Sequence, residues 1–382
     1  MARRGPRPVL LHLGLAAMRS SASSAASPSW KNVWPQWNAV ADLADHELAN
    51  DIRSRPPIWD SNLVAGIASY RRHPYARDLA DPPTIWSEGE TRLLDFGGTG
   101  PTILFVPSLI NRAYVLDLAE EASFTRYLAS KGTRPLLLDW GWPGPVERQF
   151  TLADYISGRL ERALHAINEP VILAGFCMGG ILALATALRR PARVRALALF
   201  ATPWDFHASK AASGIDLTRL LLTLEPVLRT TGTLPIDLLQ VLFTMLDPFG
   251  VGDKYRKFSA LAQKSPQARR FVALEDWLND GVPLAEYVAR ETLEQWYGAN
   301  APGRGEWYVE GHCIDPTTLP CRTFIAIPKR DLIVPPTSAL PLATLIPNTI
   351  LIRPDAGHIG MVAGMHAESA LWKPFLRWIR GL

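Results

Sequence analysis

Apolar and polar residues follow each other along the chain in a pattern that predicts strands alternating with helices. From about residue 100 onward, short β-branched and apolar runs such as residues 102–108 (TILFVPS) have the length of buried strands. Each is followed by a longer stretch of helical spacing, and residues 152–167 carry one apolar helical face. Residues 114–131 are predicted to form a helix that ends at Gly132. The repeated alternation indicates an α/β fold, with a mostly parallel sheet and helices on both faces.

The alternation stops between Pro203 and about Leu319, where the apolar spacing is mostly helical, and then resumes to the end of the chain. We interpret the interruption as a helical cap inserted into the sheet domain. The sequence thus predicts four segments: an N-terminal arm (1–90), a first core part (91–205), the cap (206–319) and a second core part (320–382).

The first residues of the chain loosely resemble a secretory signal, because two arginines precede a short apolar run and a series of small residues. Pro6, Pro8 and His12 lie in or beside that run and argue against a signal. The run is also too short to cross a bilayer. We therefore favour a mobile or amphipathic arm that contacts a surface, with a cleaved signal as the alternative.

Composition limits the function classes. The chain is 48% apolar, so a large core is expected, and its net charge of +4 gives no reason to expect a nucleic-acid partner. Its three cysteines are widely spaced and form no cluster with histidine that is typical of a metal site. We expect neither a metal nor another cofactor, and a reducing compartment fits the cysteine usage.

One cysteine stands where a strand turns into a helix. Cys177 lies in the run GFCMGG, between the strand-like residues 171–175 and a helical stretch. Gly175 and Gly179 allow a turn too tight for larger side chains, and such a turn exposes a nucleophile at the sheet edge. The partial positive charge at the start of the helix stabilises a thiolate. A buried structural cysteine is the alternative interpretation, but its place in the alternating pattern favours a nucleophile.

A thiolate in this position needs a base and an acid that orients the base. Asp331 and His358 each follow a late strand, so both are expected at the same sheet edge as Cys177. We predict His358 as the general base and Asp331 as its orienting partner. Asp355, close to His358 in the sequence, is a weaker rival for the orienting role. The alternatives are a turn-forming acid for Asp331 and a polar helix-start residue for His358.

Two backbone amides are predicted to stabilise an oxyanion at this site. The amide of Met178 opens the helix after Cys177 and points toward the site. By its position after the first strong strand, the loop PSLINR supplies the second amide, from Ser108 or Leu109.

At this point the motifs resemble those of the polyhydroxyalkanoate synthase family. The resemblance spans roughly residues 95–365 and is carried, in the family's order, by FVPSLINRAYVLDL, LLLDWGWPGP, GFCMGG, TPWDF, RDLIVPP and GHIGMV. It implies an α/β-hydrolase fold beneath a cap and a catalytic triad of Cys177, Asp331 and His358. It also implies (R)-3-hydroxyacyl-CoA as the substrate and a growing polyester chain as the product.

The resemblance further implies a cytoplasmic protein, with the polyester granule surface, a partner subunit and a second copy of the chain as candidate partners. Two other functions stay open from the residues alone. A cysteine-dependent thioesterase or ester hydrolase would use the same residues if water reached the site. A non-enzymatic granule-surface protein would use only the N-terminal arm, and the complete set of three candidate catalytic residues argues against it.

Overall fold

A computed structural model describes Arg3 and residues 5–22, 60–208 and 217–382. Residues 23–59 of the predicted N-terminal arm lie outside the described residues. The described residues fall into two compact units, one from Met1–Tyr75 and Asp237–Asn279 and one from Ala76–Ile236 and Asp280–Leu382. These units do not follow the four predicted segments, whose boundaries stay a prediction.

Helices occur in both units. In chain order they are α1 (Val9–Ala22), α2 (Ser61–Arg72), α3 (Phe124–Ser130), α4 (Glu161–His165), α5 (Met178–Arg189), α6 (Leu217–Thr231), α7 (Ile236–Leu246), α8 (Gly250–Ser259), α9 (Pro266–Asn279), α10 (Glu286–Glu291), α11 (Pro336–Leu345), α12 (His358–Ala363) and α13 (Lys373–Ile379). Turns of π-helix adjoin α4, α10 and α13 at Asp154–Leu160, Thr292–Gly298 and Glu368–Trp372. Within the described ranges, every helix is too short or too polar to cross a membrane.

The strands all belong to the second unit. They are β1 (Thr84–Glu88), β2 (Thr91–Asp95), β3 (Thr102–Val106), β4 (Arg134–Asp139), β5 (Val171–Phe176), β6 (Val194–Phe200), β7 (Thr233–Leu234), β8 (Leu284–Ala285), β9 (Tyr308–Val309), β10 (His312–Cys313), β11 (Arg322–Ala326) and β12 (Thr349–Ile352). β7 pairs with β8 and β9 with β10 as short antiparallel ribbons.

The other eight strands form one sheet in the order β1-β2-β4-β3-β5-β6-β11-β12. β1 pairs antiparallel with β2, and β2 pairs antiparallel with β4. From β4 onward in this order, every pair of neighbouring strands is parallel. β3 and β5 are buried at every position, as expected for strands covered on both faces. The predicted, mostly parallel sheet is confirmed. It begins at Thr84, inside the segment predicted as the N-terminal arm.

The single helix predicted over residues 114–131 is wrong. The chain forms two short 3₁₀ turns, Ala113–Leu116 and Glu120–Ala122, before α3 begins. The buried carboxylate of Asp117 accepts hydrogen bonds from Ser123 Oγ at 2.6 Å and from Arg126 Nε at 2.8 Å. Ser123 Oγ also caps α3 by accepting from the amide of Arg126. These side-chain hydrogen bonds compete with a continuous helix and move its start to Phe124.

Aromatic rings hold the core of the second unit together. Phe375 of α13 lies within 5.2–6.5 Å, between ring centroids, of the phenylalanines of β3, β6 and β11, namely Phe105, Phe200 and Phe324. All four rings are almost completely buried. Because the rings pack edge-on and tilted, they fix the spacing of the strands at whose ends the candidate site forms.

The first unit has its own core, made by residues of α1, α2, α8 and α9. Its buried members are Ala16, Leu63, Ile67, Tyr70, Tyr255, Phe258, Ala268 and Val272. α2 approaches α8 so closely that a Cβ atom at Gly66 would overlap with the carbonyl oxygen of Tyr255. The N-terminal helix α1, in the segment predicted as a mobile or amphipathic arm, therefore contributes to this core.

Candidate active site

Cys177 occupies a sharp turn between β5 and α5. Its backbone has φ 57° and ψ −129°, a conformation that costs a side chain other than glycine of the order of 1–3 kcal/mol. Its amide donates to the carbonyl oxygen of Phe200 on β6 at 2.8 Å, which anchors the turn to the neighbouring strand. The predicted strand-to-helix turn is present, and its thiol is partly exposed.

Three glycines make this turn by close approach. A Cβ atom at Gly175 would overlap with the backbone of Gly180, and one at Gly179 would overlap with the carbonyl groups that end β3. Gly180, which was not predicted as a site residue, is equally constrained, because its Cβ would overlap with the side chain of Thr202. The double glycine of GFCMGG was the available sequence signal, but only the packing shows what the third glycine contacts.

Asp331 and His358 lie together, as predicted. The His358 ring donates from Nδ1 to Asp331 Oδ2 at 2.7 Å, and both residues are buried. Asp331 Oδ1 accepts from the amides of Ile333 and Val334, each at 2.9 Å. Since both carboxylate oxygens are hydrogen-bonded, the carboxylate is fixed and in turn fixes the orientation of the ring.

The rival acid lies elsewhere. The Asp355 side chain is 74% exposed and forms an ion pair with Arg330 at 2.9 Å. The residue adjacent to Asp331 in the sequence, Leu332, is 59% exposed and contributes only its backbone to this turn. Of the two acids considered, Asp331 is the one that contacts His358.

The other side of the His358 ring faces Cys177. Because Nδ1 is engaged with Asp331, Nε2 is the ring nitrogen left to interact with the Cys177 side chain, which contributes to the raised pKa of His358. The ring of Phe176 packs 5.0 Å from the imidazole, between centroids. The imidazole of His358 therefore lies between the carboxylate of Asp331, with which it is hydrogen-bonded, and the thiol of Cys177, which contributes to its raised pKa.

The charges around His358 favour its protonated form. Burial alone lowers the pKa of His358, but the negative charge of Cys177 and the hydrogen bonding of the ring to Asp331 and Cys177 as acceptors outweigh it and raise the pKa to about 10. At neutral pH the His358 ring is therefore largely protonated.

The residues predicted to provide oxyanion amides lie beside the turn. Met178 begins α5, and Gly179 brings this helix start against the end of β3, from which the loop with Ser108 and Leu109 departs. Ser108 Oγ accepts from the amide of Ile110 at 3.2 Å, which braces the loop. Among the residues that the structure describes, no backbone acceptor is bonded to the amides of Met178, Ser108 or Leu109.

Asn300 connects the TPWDF motif to a segment that is distant in the sequence. Asn300, with φ 53°, accepts at Oδ1 from the amide of Phe206 and donates from Nδ2 to Asp205 Oδ1, each at 2.9 Å. It thereby connects the TPWDF loop after β6 with the segment that follows α10. The TPWDF motif carried the family resemblance, but the sequence offered no reason to pair it with Asn300.

A metal ion would need a cluster of ligating side chains. In the described ranges, no group of three or more His, Cys, Asp or Glu side chains is placed to hold a metal ion. The other two cysteines are remote from the turn in sequence; burial raises the pKa of Cys321 to about 11, and Cys313 Sγ donates to the carbonyl of Gly305.

The fold and this geometry define the class of protein. The sequence profile of the α/β-hydrolase fold family matches residues 101–364. The chain belongs to the α/β-hydrolase fold family, as predicted. Among solved structures, a thermophilic esterase from Thermogutta terrifontis aligns over 79% of this chain and 98% of its own, with 19% identity and a TM-score of 0.47.

Curated sequences give a narrower similarity. A poly(3-hydroxyalkanoate) polymerase subunit from Haloferax mediterranei is 27% identical over 356 residues, covering 90% of this chain and 69% of its own. The corresponding subunit from Allochromatium vinosum is 28% identical over 290 residues, covering 72% of this chain and 80% of its own. The predicted resemblance to polyhydroxyalkanoate synthases is confirmed.

Proposed function

We propose that this protein is an acyltransferase that polymerises (R)-3-hydroxyacyl-CoA into polyhydroxyalkanoate through an acyl-enzyme on Cys177. The observation that carries the proposal is the buried His358 ring, which is hydrogen-bonded to Asp331 at 2.7 Å and whose pKa is raised by Cys177, the residue at the strand-to-helix turn. The similarity to polymerase subunits supplies the substrate class. No metal or other cofactor takes part in the proposed chemistry.

In the loading step, the Cys177 sulfur attacks the carbonyl carbon of the CoA thioester. The amide of Met178, together with that of Leu109 or Ser108, donates to the oxyanion of the tetrahedral intermediate. The bond to the CoA sulfur then breaks, and His358 gives its proton to that leaving sulfur. The products are free CoA, a neutral imidazole and an acyl group on Cys177.

In the elongation step, the neutral imidazole of His358 accepts the proton of a hydroxyl group on another 3-hydroxyacyl unit. The hydroxyl oxygen attacks the acyl carbon on Cys177, and the sulfur leaves as a thiolate. The new bond is an ester, and the imidazolium–thiolate pair is restored. Asp331 stabilises the imidazolium at each end of this cycle.

A thiol suits this reaction better than a hydroxyl. Transfer from the CoA sulfur to the Cys177 sulfur exchanges one thioester for another, so little free energy is lost on loading. The ester formed afterwards is more stable than the thioester, and this difference drives the chain forward. A serine in the same turn would form an oxygen ester at loading and lose that driving force.

A cysteine-dependent hydrolase is the second candidate. The membership of the chain in the α/β-hydrolase fold family favours it, because the same thiolate, imidazole and amides support attack by water. The two functions differ only in the nucleophile that reaches the acyl group on Cys177, water or a substrate hydroxyl.

The fate of the acyl group separates the two functions. Purified protein is given (R)-3-hydroxybutyryl-CoA, released CoA is measured with a thiol reagent, and the acyl product is analysed as polymer or free acid. Polymer together with an equivalent amount of released CoA supports the acyltransferase function. Free hydroxy acid contradicts it and supports the hydrolase function. Cys177→Ala is expected to abolish CoA release and Cys313→Ala to leave it unchanged. Turnover by Cys177→Ala would contradict both functions.

The proposal extends to the setting of the reaction. The relatives reported above are named as polymerase subunits, which supports a partner subunit for this chain. The place that we propose for the reaction is a cytoplasmic granule surface. The same assay tests the need for a partner: full polymer formation by the purified chain alone would contradict it.

A further inference from the structure

The loop that follows β3 is held at its first residue by two neighbours. This loop has the sequence PSLINR and covers residues 107–112. The Trp140 indole donates from Nε1 to the carbonyl oxygen of Pro107 at 3.0 Å. Gly179 of α5 approaches the same carbonyl group so closely that a Cβ atom on the glycine would overlap with it. The start of the loop is therefore fixed against the helix that follows Cys177.

A short segment just before β8 holds the other end of the loop. This segment consists of residues 280–282. The amide of Val282 donates to the carbonyl oxygen of Ile110 at 3.1 Å. Gly281 is buried, and a Cβ atom on it would lie 3.3 Å from Oδ1 of Asn111. The backbone of the segment therefore lies directly against the loop.

Asp280 adds its carboxylate to these backbone contacts. Its Oδ2 accepts from the Tyr114 hydroxyl at 3.2 Å and lies 3.8 Å from Nε of Arg112. Arg112 is the last residue of the loop, and Tyr114 lies in the 3₁₀ turn that follows it. A carboxylate shared by a cation and a hydroxyl donor restricts both side chains. Ser108 and Leu109, the candidate oxyanion donors, thus lie between two fixed points of the chain.

We propose that Asp280 is a positioning residue for the oxyanion amide that the PSLINR loop supplies. The inference rests on the proposed function only in taking Cys177 as the nucleophile and Ser108 or Leu109 as the amide donor. Such a donor must already point to the place where charge develops, and removal of one costs about 10²–10³ in rate. Loss of the Asp280 carboxylate leaves the backbone contacts of the segment in place, so a smaller effect is expected.

Two reagents that modify Cys177 separate this role from general damage to the site. p-Nitrophenyl acetate acylates the sulfur through a tetrahedral oxyanion and loses p-nitrophenolate, whereas iodoacetamide alkylates it by displacement of iodide and forms no oxyanion. Acylation is followed in the whole protein as the initial release of p-nitrophenolate, corrected for Cys177→Ala, and alkylation by mass spectrometry of the Cys177 peptide. In Asp280→Ala we expect acylation to slow about tenfold and alkylation to stay within about twofold of the wild type.

Asp280→Asn and Glu306→Ala are the controls. Asparagine keeps an oxygen that accepts from the Tyr114 hydroxyl, so most of the acylation rate is expected to return. The Glu306 side chain is 55% exposed, against 54% for Asp280, and pairs with Arg304 at 2.9 Å. Its truncation is expected to change neither rate.

An unchanged acylation rate in Asp280→Ala, or a fall of acylation and alkylation together, would overturn the inference. So would an equal loss of acylation in Glu306→Ala, no recovery in Asp280→Asn, or a wild-type Cys177 that p-nitrophenyl acetate does not acylate. Failure of the acyltransferase proposal would appear instead as absent polymer from (R)-3-hydroxybutyryl-CoA, with the separate responses of acylation and alkylation intact. The two failures are therefore distinguishable.

Discussion

At the scale of single residues, the site depends on a sulfur, an imidazole and a carboxylate that hold one another in place. Cys177 adopts a backbone conformation that costs free energy, and His358 carries a charge that burial alone would remove. Both are sustained by partners: the strand backbone for Cys177, and the thiolate and Asp331 for His358. Removing one partner therefore changes the others in a predictable direction.

The carboxylate that orients the ring can be tested against its rival. In Asp331→Asn, Oδ1 still accepts from the Ile333 and Val334 amides, but the new NH₂ group faces Nδ1 of His358 and favours the wrong tautomer. CoA release is expected to fall by about a thousandfold or more. Asp355→Asn is the control and should keep nearly full activity, because Asp355 is paired only with Arg330 among the described residues. The reverse ranking of the two variants would contradict the assignment.

The pKa of His358 reports directly on its neighbour. Cys177→Ala removes the charge and the hydrogen bond of the thiol, so burial is opposed by Asp331 alone. We expect the pKa of His358 to fall from about 10, so that at pH 9 the ring is more fully protonated in the wild type than in the variant. An NMR titration of the His358 ring proton measures this. A pKa that stays at about 10 in the variant would show that the thiolate does not hold the proton on the ring.

At the scale of elements, the turn depends on how closely α5 approaches its neighbours. The apolar runs and the glycines of GFCMGG were enough to predict the strand, the turn and the helix. They were not enough to predict the contact of Gly180 with Thr202, because Gly180 lies in α5 and Thr202 in the loop that follows β6.

The close approach of α5 to Thr202 predicts that alanine destabilises the protein at Gly180 but not at Gly14. Gly180→Ala places a methyl group against Thr202, and we expect it to lower the free energy of unfolding by about 1–3 kcal/mol. Gly14→Ala, in the middle of α1 where no atom lies within 4 Å of the added Cβ, should be neutral or slightly stabilising. Urea unfolding of the two variants measures the difference. Equal stability of both variants would argue against the tight contact.

Also at this scale, the helix prediction over residues 114–131 was wrong for a reason that the sequence contains. Asp117, Ser123 and Arg126 are residues whose side chains hydrogen-bond the backbone or one another, and here they form a buried cluster. The prediction gave more weight to the helical spacing of the apolar residues than to these polar side chains. In the structure, the side-chain hydrogen bonds decide where the helix starts.

At the scale of the whole molecule, the alternation of strands and helices predicted the sheet, because each buried parallel strand leaves a local apolar run. The composition of the first compact unit could not be predicted in this way. It joins the N-terminal helices to α8 and α9, and its hydrogen bond from Arg3 to Asp276 spans 273 positions. Contacts of such separation leave no periodic pattern in the sequence.

Arg3 offers a test of that unit. Its guanidinium bonds both oxygens of Asp276, at 2.6 and 2.7 Å, and the carbonyl groups of His73 and Tyr75. Arg3→Met is expected to lower the free energy of unfolding by about 1–3 kcal/mol, because these acceptors lose their donor. Arg7→Met, which removes an exposed pair with Asp237, should cost only about 0–1 kcal/mol. Thermal unfolding compares the two variants, and a larger loss in Arg7→Met would contradict the packing described.

Trapping the acyl-enzyme tests the central claim most directly. The protein is mixed with (R)-3-hydroxybutyryl-CoA, quenched in acid within the first turnover and digested, and the peptides are weighed by mass spectrometry. We predict a 3-hydroxybutyryl group on Cys177 with an equivalent of CoA released, and neither in Cys177→Ala. An acyl group on any other residue, or the same CoA release from the variant, would contradict the assignment of Cys177 as the nucleophile.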